Sequence, residues 1–203
     1  MNYRLQDIMK MIIPGLYLTA LILGYEILNS NFNIDTSKWQ DLSAMVVLLI
    51  PFVGFVLGYF VECVTAGIEH GWYALRWRRP SKNILKGSSK YPVANIEKIK
   101  TKHQLTSGKI SNDKANEVLQ TAKQCIPNKE VVEPYRNNAT LARNIFGAQL
   151  IFTIIYATLL DAFYTVVYWY LSLFALLVFL GYWIHHNHVY VKYVLAEYGK
   201  SLA

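Results

Sequence analysis

Residues 145–184 read IFGAQLIFTIIYATLLDAFYTVVYWYLSLFALLVFLGYWI, 40 residues with a single formal charge, Asp161, and no proline. One helix of that length would measure about 60 Å, twice the hydrocarbon thickness of a bilayer. The stretch therefore reads as a hairpin of two membrane-spanning helices that turns at Asp161. Tyr164, Tyr168, Trp169 and Tyr170 mark one membrane interface beside the turn, and Tyr182 and Trp183 mark the opposite one.

Working towards the N-terminus, residues 11–28 (MIIPGLYLTALILGYEIL) are apolar for about the 18 to 20 residues that cross a bilayer core. Arg4 and Lys10 ahead of that run would also suit a secretory leader, but no small-x-small cleavage site follows. The polar residues 29–41, with Trp39 at the interface, suit an outer turn. Residues 42–66 form a second span, which continues as GIEHGWYALRWRRP until Pro80 stops the helix. The expected fold is an all-α integral membrane protein of four transmembrane helices. A first pair occupies residues 1–66, a basic cytoplasmic helical insertion residues 67–144, and a second hairpin with a cytoplasmic C-terminal tail residues 145–203.

Composition agrees with this division. The chain of 203 residues is 54% apolar and 16% charged, against about 25% charged in a soluble domain. Of 20 Lys and Arg, 15 lie between Gly67 and Arg143 beside six acids, which puts a charge of +9 there and leaves the remainder near neutral. Cations concentrate in cytoplasmic loops, so the insertion and both termini are expected inside, in the cytoplasmic or inner membrane. A charge so placed speaks for anionic lipid headgroups, a cytoplasmic protein or an anionic nucleotide as partners rather than for nucleic acid. Within the insertion, two short helices are predicted near residues 93–105 and 112–125, the second capped by Ser111 or Asn112, with Gly108 turning the chain between them. Pro92, Pro127 and Pro134 break the rest into pieces. This hairpin buries too little to fold by itself, so it should pack on a neighbouring subunit or on the bundle's inner end. Cys63 and Cys125, one in an apolar span and one in the insertion, read as free thiols.

Four constellations bear on chemistry. Gly54, Gly58, Glu62 and Ala66 recur every four residues on one helix face, which either packs tightly against another helix or lines a pore. Thr153, Ala157 and Asp161 repeat that spacing on the third span, and the two stripes could pair; Asp161 also suits a solvated turn, as does Glu26. His185, His186 and His188 cluster near the inner end of the fourth span, where His185 and His188 share a side and could meet Glu69 and His70. Such a cluster can sense pH, hydrogen-bond its neighbours or, given a third or fourth ligand, hold a metal. In the insertion, positive-inside bias accounts for Arg76, Arg78, Arg79, Lys82 and Lys86, whereas Lys98, Lys100, Lys102 and Lys109 lie deeper and need another cause; the candidates for an anionic ligand or lipid are Arg76, Arg78, Arg79, Lys98, Lys100 and Lys102.

No phosphate-cradling glycine loop, HExxH, CxxC or GxSxG occurs, so neither a cofactor nor an enzyme class is indicated. The acceptor pattern Asn138-Ala139-Thr140 falls on the expected cytoplasmic side. In size and four-span arrangement the chain is similar to small membrane effectors of bacterial defence systems, a likeness of organisation in which no motif residue takes part. The leading expectation is a homo-oligomeric, channel-like or membrane-perturbing protein controlled by its helical insertion. A non-conducting anchor that recruits a partner through its basic loop, and an intramembrane metal enzyme using the histidines with Glu62 or Glu69, are the alternatives.

Overall fold

The computed structural model describes residues 5–29, 39–74, 79–87, 90–105, 110–159 and 166–202, with side chains left undescribed at 6–7, 26–29, 39–48, 73–74, 157–159 and 166–168. Seven helices appear among them: α1 (Leu5–Asn29), α2 (Trp39–Ala74), α3 (Pro80–Leu85), α4 (Ile96–Lys102), α5 (Asn112–Cys125), α6 (Lys129–Leu159) and α7 (Val166–Lys200). The described residues contain no strand. Four helices carry stretches long and apolar enough to cross a membrane, at Ile8–Tyr25, Leu49–Trp72, Lys129–Tyr156 and Trp169–Lys200. Aromatic and aliphatic side chains such as Phe52, Phe60, Phe174 and Leu177 stand exposed on α2 and α7, as lipid-facing helices require.

Two helix limits differ from the sequence reading. Pro80 begins α3 instead of merely ending α2, because at the first helical position the missing N–H is one that no helix satisfies internally. The third long helix starts at Lys129, not near Ile145, and runs through Pro134. Pro134 is the sixth residue of the helix, so it forfeits one bond, to the Glu130 carbonyl, at an exposed end open to water. Of the two short helices expected between the spans, α5 has the predicted limits, whereas α4 is confined to Ile96–Lys102 within the expected 93–105, and α3 is a further helix that the pattern did not show. Ser111 Oγ accepts the Lys114 N–H at 3.1 Å to cap α5, whose Ala115, Val118 and Ala122 are buried.

The chain divides into two compact units. Unit 1 comprises residues 1–67 and 140–182, and unit 2 residues 68–139 and 183–203. In unit 1, α1 crosses α2 with backbone against backbone: a Cβ on Gly15 would overlap the Gly54 carbonyl, and one on Gly58 would overlap the Met11 carbonyl. Only glycine permits this approach, and in an apolar solvent close approach is a main source of helix association. Gly147 of α6 likewise receives the Thr65 methyl of α2. Beside these contacts, the fully buried Asn144 ties three helices together. Its side-chain oxygen accepts from Thr65 Oγ at 3.0 Å and from Arg143 Nε at 3.2 Å, and its amide donates to the Lys10 carbonyl at 3.4 Å.

Unit 2 has its own apolar core. Ile84 and Leu85 of α3, Ile99 of α4, Val118 of α5 and Val132 of α6 pack with Val191, Val194, Leu195 and Tyr198 of α7. Residues 183–200 thus act as the spine of this unit rather than as a tail. They supply the apolar surface that the short helices lack, which answers what the insertion packs against within a single chain.

Candidate functional site

A cavity of about 460 Å³ opens within unit 2. Four segments of the chain build it. Asn116, Gln120 and Lys123 recur at spacings of four and three along α5, so they share the face that borders the cavity, with Leu119 between them. Tyr190 and Val191, three and four positions after Asn187, share its face of α7 and border the cavity with it. Glu69 and His70 come from the end of α2, and Arg79 with Ser81 from the start of α3.

A second hollow of about 420 Å³ shares Lys123 and Tyr190 with the first and is bordered also by Lys129, Val132, Glu133 and Arg136. Lys123 Nζ sits 5.6 Å from the Tyr190 ring centroid, a cation–π contact at the shared wall. Burial pushes the Lys123 ammonium below the usual lysine range; Arg136 adds to the shift and Glu69 opposes it. The two hollows together present Arg79, Lys123, Lys129 and Arg136 against Glu69 and Glu133, four cations to two carboxylates. In the first cavity Arg79 and Lys123 stand against Glu69, one positive charge in excess, and amides, a hydroxyl and a phenol complete the lining, so it can attract an anion and also direct hydrogen bonds to it.

Of the cations singled out from sequence, Arg79 alone reaches this cavity among the described residues. Arg76, Arg78 and Lys109 lie outside the described residues. Lys98 is exposed on α4, Lys100 pairs with Glu97 at 2.7 Å, and Lys102 stands 5.4 Å from the Tyr198 ring centroid. Lys123 escaped the sequence reading because it looks like an ordinary helix-surface charge. The signal was the polar row Asn116, Gln120, Lys123 running beside the apolar face of α5.

The histidines separate. Glu69 and His70 border the cavity, but their neighbour from the HHNH run is Asn187. His185 and His188 engage Tyr91 instead: Tyr91 Oη lies 3.1 Å from His185 Nδ1, and the Tyr91 and His188 rings stack with centroids 5.1 Å apart. His188 Nδ1 donates to the Ile184 carbonyl at 2.8 Å. Among the described residues, no three His, Cys, Asp or Glu side chains converge in a way that would hold a metal ion. Cys63 and Cys125 are free thiols, both exposed.

The small-residue stripes also find separate neighbours. Gly54 and Gly58 face α1, Ala66 is exposed, and Glu62 receives Arg143 Nη2 at 3.5 Å while its second carboxylate oxygen is buried with no hydrogen-bond partner among the described residues. Thr153 meets Ser172 of α7 rather than the α2 stripe. The Ala157 side chain and Asp161 fall outside what is described, as does the Glu26 side chain. Compared with protein-family models, curated proteins and solved structures, the chain matches none.

Proposed function

We propose that this is a membrane-embedded effector that binds a small phosphate-bearing anion in the cavity of unit 2 and acts on the bilayer as a homo-oligomeric, channel-like assembly. In this reading the protein sits in the cytoplasmic or inner membrane, with its termini and the ligand cavity on the cytoplasmic side. The observation that supports it is the convergence of Arg79 and Lys123, from segments 44 residues apart, on one cavity with Asn116, Gln120, Asn187 and Tyr190. Cations that only set topology gain most by facing water and lipid headgroups. Holding a lysine in a partly buried wall costs desolvation, which an incoming anion offsets. The cavity volume lies in the range of small-ligand sites, about 300 to 1,000 Å³. Assembly into oligomers enters because the polar side chains inside unit 1, such as Asn144 and Thr65, bond one another across the bundle, so a water-filled path needs more than one subunit.

The test uses the full chain in proteoliposomes with inorganic pyrophosphate as probe. Pyrophosphate binding should weaken about tenfold or more in Arg79→Gln and Lys123→Gln, the scale of a lost charge-assisted hydrogen bond. Lys123 is charged below its lowered pKa, so binding should fall as pH rises through that value, ahead of an ordinary lysine, and Lys123→Arg should extend it to higher pH. Ion flux that responds to pyrophosphate supports the effector reading, and binding without flux supports a non-conducting anchor. Equal affinity in wild type and both Gln variants would sink the site.

A further inference from the structure

Unit 1 holds a different cavity, of about 300 Å³, whose lining residues all lie within the candidate membrane spans. Its wall combines the aromatic rings of Tyr25, Phe152 and Tyr156 with small and aliphatic residues such as Ala20, Leu21 and Leu171. Tyr25 meets Tyr156 edge-on with ring centroids 5.2 Å apart, and Phe152 stacks on Tyr156 at 5.8 Å. Gly24 opens the space: a Cβ added there would touch nothing within 4 Å. At one end sits a polar floor of Tyr17, Gln149 and Ser172, with Gln149 and Ser172 only 2% and 7% exposed.

The hydrogens of that floor can be assigned one by one. Thr153 Oγ gives its only hydrogen to the Gln149 carbonyl at 2.7 Å, so in the 2.8 Å contact with Ser172 Oγ the serine is the donor. Gln149 Nε2 donates to Ser172 Oγ at 3.0 Å and reaches Thr153 Oγ and the Ser172 carbonyl at 3.5 Å. Tyr17 Oη donates to Gln149 Oε1 at 2.6 Å. Flipping the amide would set its oxygen against the Ser172 carbonyl, and Ser172 would have to choose between two acceptors. The orientation shown is the one that places a hydrogen in every close contact. Every hydroxyl hydrogen is then committed, and what the floor still has to offer is lone pairs, on Tyr17 Oη and Gln149 Oε1.

A site in hydrocarbon with apolar walls and spare acceptors selects for an apolar molecule that brings its own donor. We infer that this cavity binds a membrane-dissolved alcohol, its hydroxyl donating to Tyr17 Oη or Gln149 Oε1 and its apolar body against Tyr25, Phe152 and Tyr156. At this floor a ketone, quinone or ether of the same shape offers only acceptors and would set lone pairs against lone pairs. This site is independent of the anion cavity and stands or falls separately from it.

The experiment is photolabelling of the full chain in proteoliposomes with a diazirine-bearing hexadecanol, beside its methyl ether. The alcohol should label peptides spanning residues 17–25, 149–156 and 171–175 about three- to tenfold more than the ether, the worth of one hydrogen bond. Gly24→Leu fills the cavity from α1 and Ala175→Leu from α7, and either variant should abolish the preference while keeping wild-type circular dichroism. Equal labelling by alcohol and ether overturns the inference, as does labelling that persists in a filled and folded variant. If neither filled variant folds, the wild-type ratio and the position of the label decide alone.

Discussion

Gly15 and Gly24 lie on the same helix, and replacing each by alanine makes the same chemical change in opposite surroundings. At Gly24 the new methyl enters open space, while at Gly15 it collides with the Gly54 carbonyl and with Gly58 N, 2.6 Å away. Both substitutions gain the same helix propensity, about 1 kcal/mol, so this term cancels when the two variants are compared. What remains is the overlap at Gly15. Its partners are backbone atoms that cannot rotate aside, so α1 and α2 must part by about 1 to 2 Å along the crossing to restore ordinary contact. Overpacking of this kind costs about 1 to 3 kcal/mol, and separation of the helices also loosens the contact of Gly58 with Met11. Gly24→Ala should therefore be more stable than Gly15→Ala by about 1 to 3 kcal/mol. Equilibrium unfolding of both variants in mixed dodecylmaltoside and SDS micelles measures the difference directly. Equal stabilities, or a more stable Gly15→Ala, would refute the account of α1 and α2 as a glycine-mediated crossing.

Two more predictions concern unit 2 and the membrane arrangement. His103, whose Nε2 lies 3.0 Å from Tyr198 Oη, is held below the ordinary histidine range first by burial and then by Lys102 and Lys114, against a smaller opposing pull from Glu117. The unfolded chain then binds the proton more readily, so stability is full above about pH 6.5 and falls as the pH drops towards the folded value. Amide exchange in residues 96–105 should show this loss, and His103→Gln should flatten it; an unchanged slope in the variant would assign the effect elsewhere. For topology, Trp39→Cys and Lys98→Cys should react with a membrane-impermeant maleimide from opposite sides of the bilayer, and labelling from one side would overturn the four-span arrangement.

The all-helical class and the four helices of membrane-spanning length were legible because such segments answer to a local rule: every backbone group must be satisfied within the segment, so length and apolarity alone mark it. The 40 residues from 145 to 184 had to fold back, and α6 ending at Leu159 with α7 starting at Val166 brackets the predicted turn. The cap at Ser111 and the period of α5 were local too. Helix starts at polar positions were not, since the apolar residues between Lys129 and Arg143, such as Val131, Val132 and Leu141, are scattered among polar ones with no continuous run, and a proline near a helix start reads like a loop proline.

Side-chain partners belong to tertiary structure. The spacing of Gly54 and Gly58 told of a small face but not which helix would cover it, and α1 took that place through Gly15. The HHNH run has one spacing and two destinations, with Asn187 at the polar cavity and His185 and His188 at Tyr91. Lys123 was one of 20 cations until packing set it beside Tyr190 and across from Arg79. The sequence by itself determined which segments are helical and apolar, because those properties are sums over neighbours in the chain. The fold alone decided which polar groups meet, because a cavity or hydrogen-bond network is a relation among residues tens to more than a hundred positions apart, such as Tyr17 and Gln149.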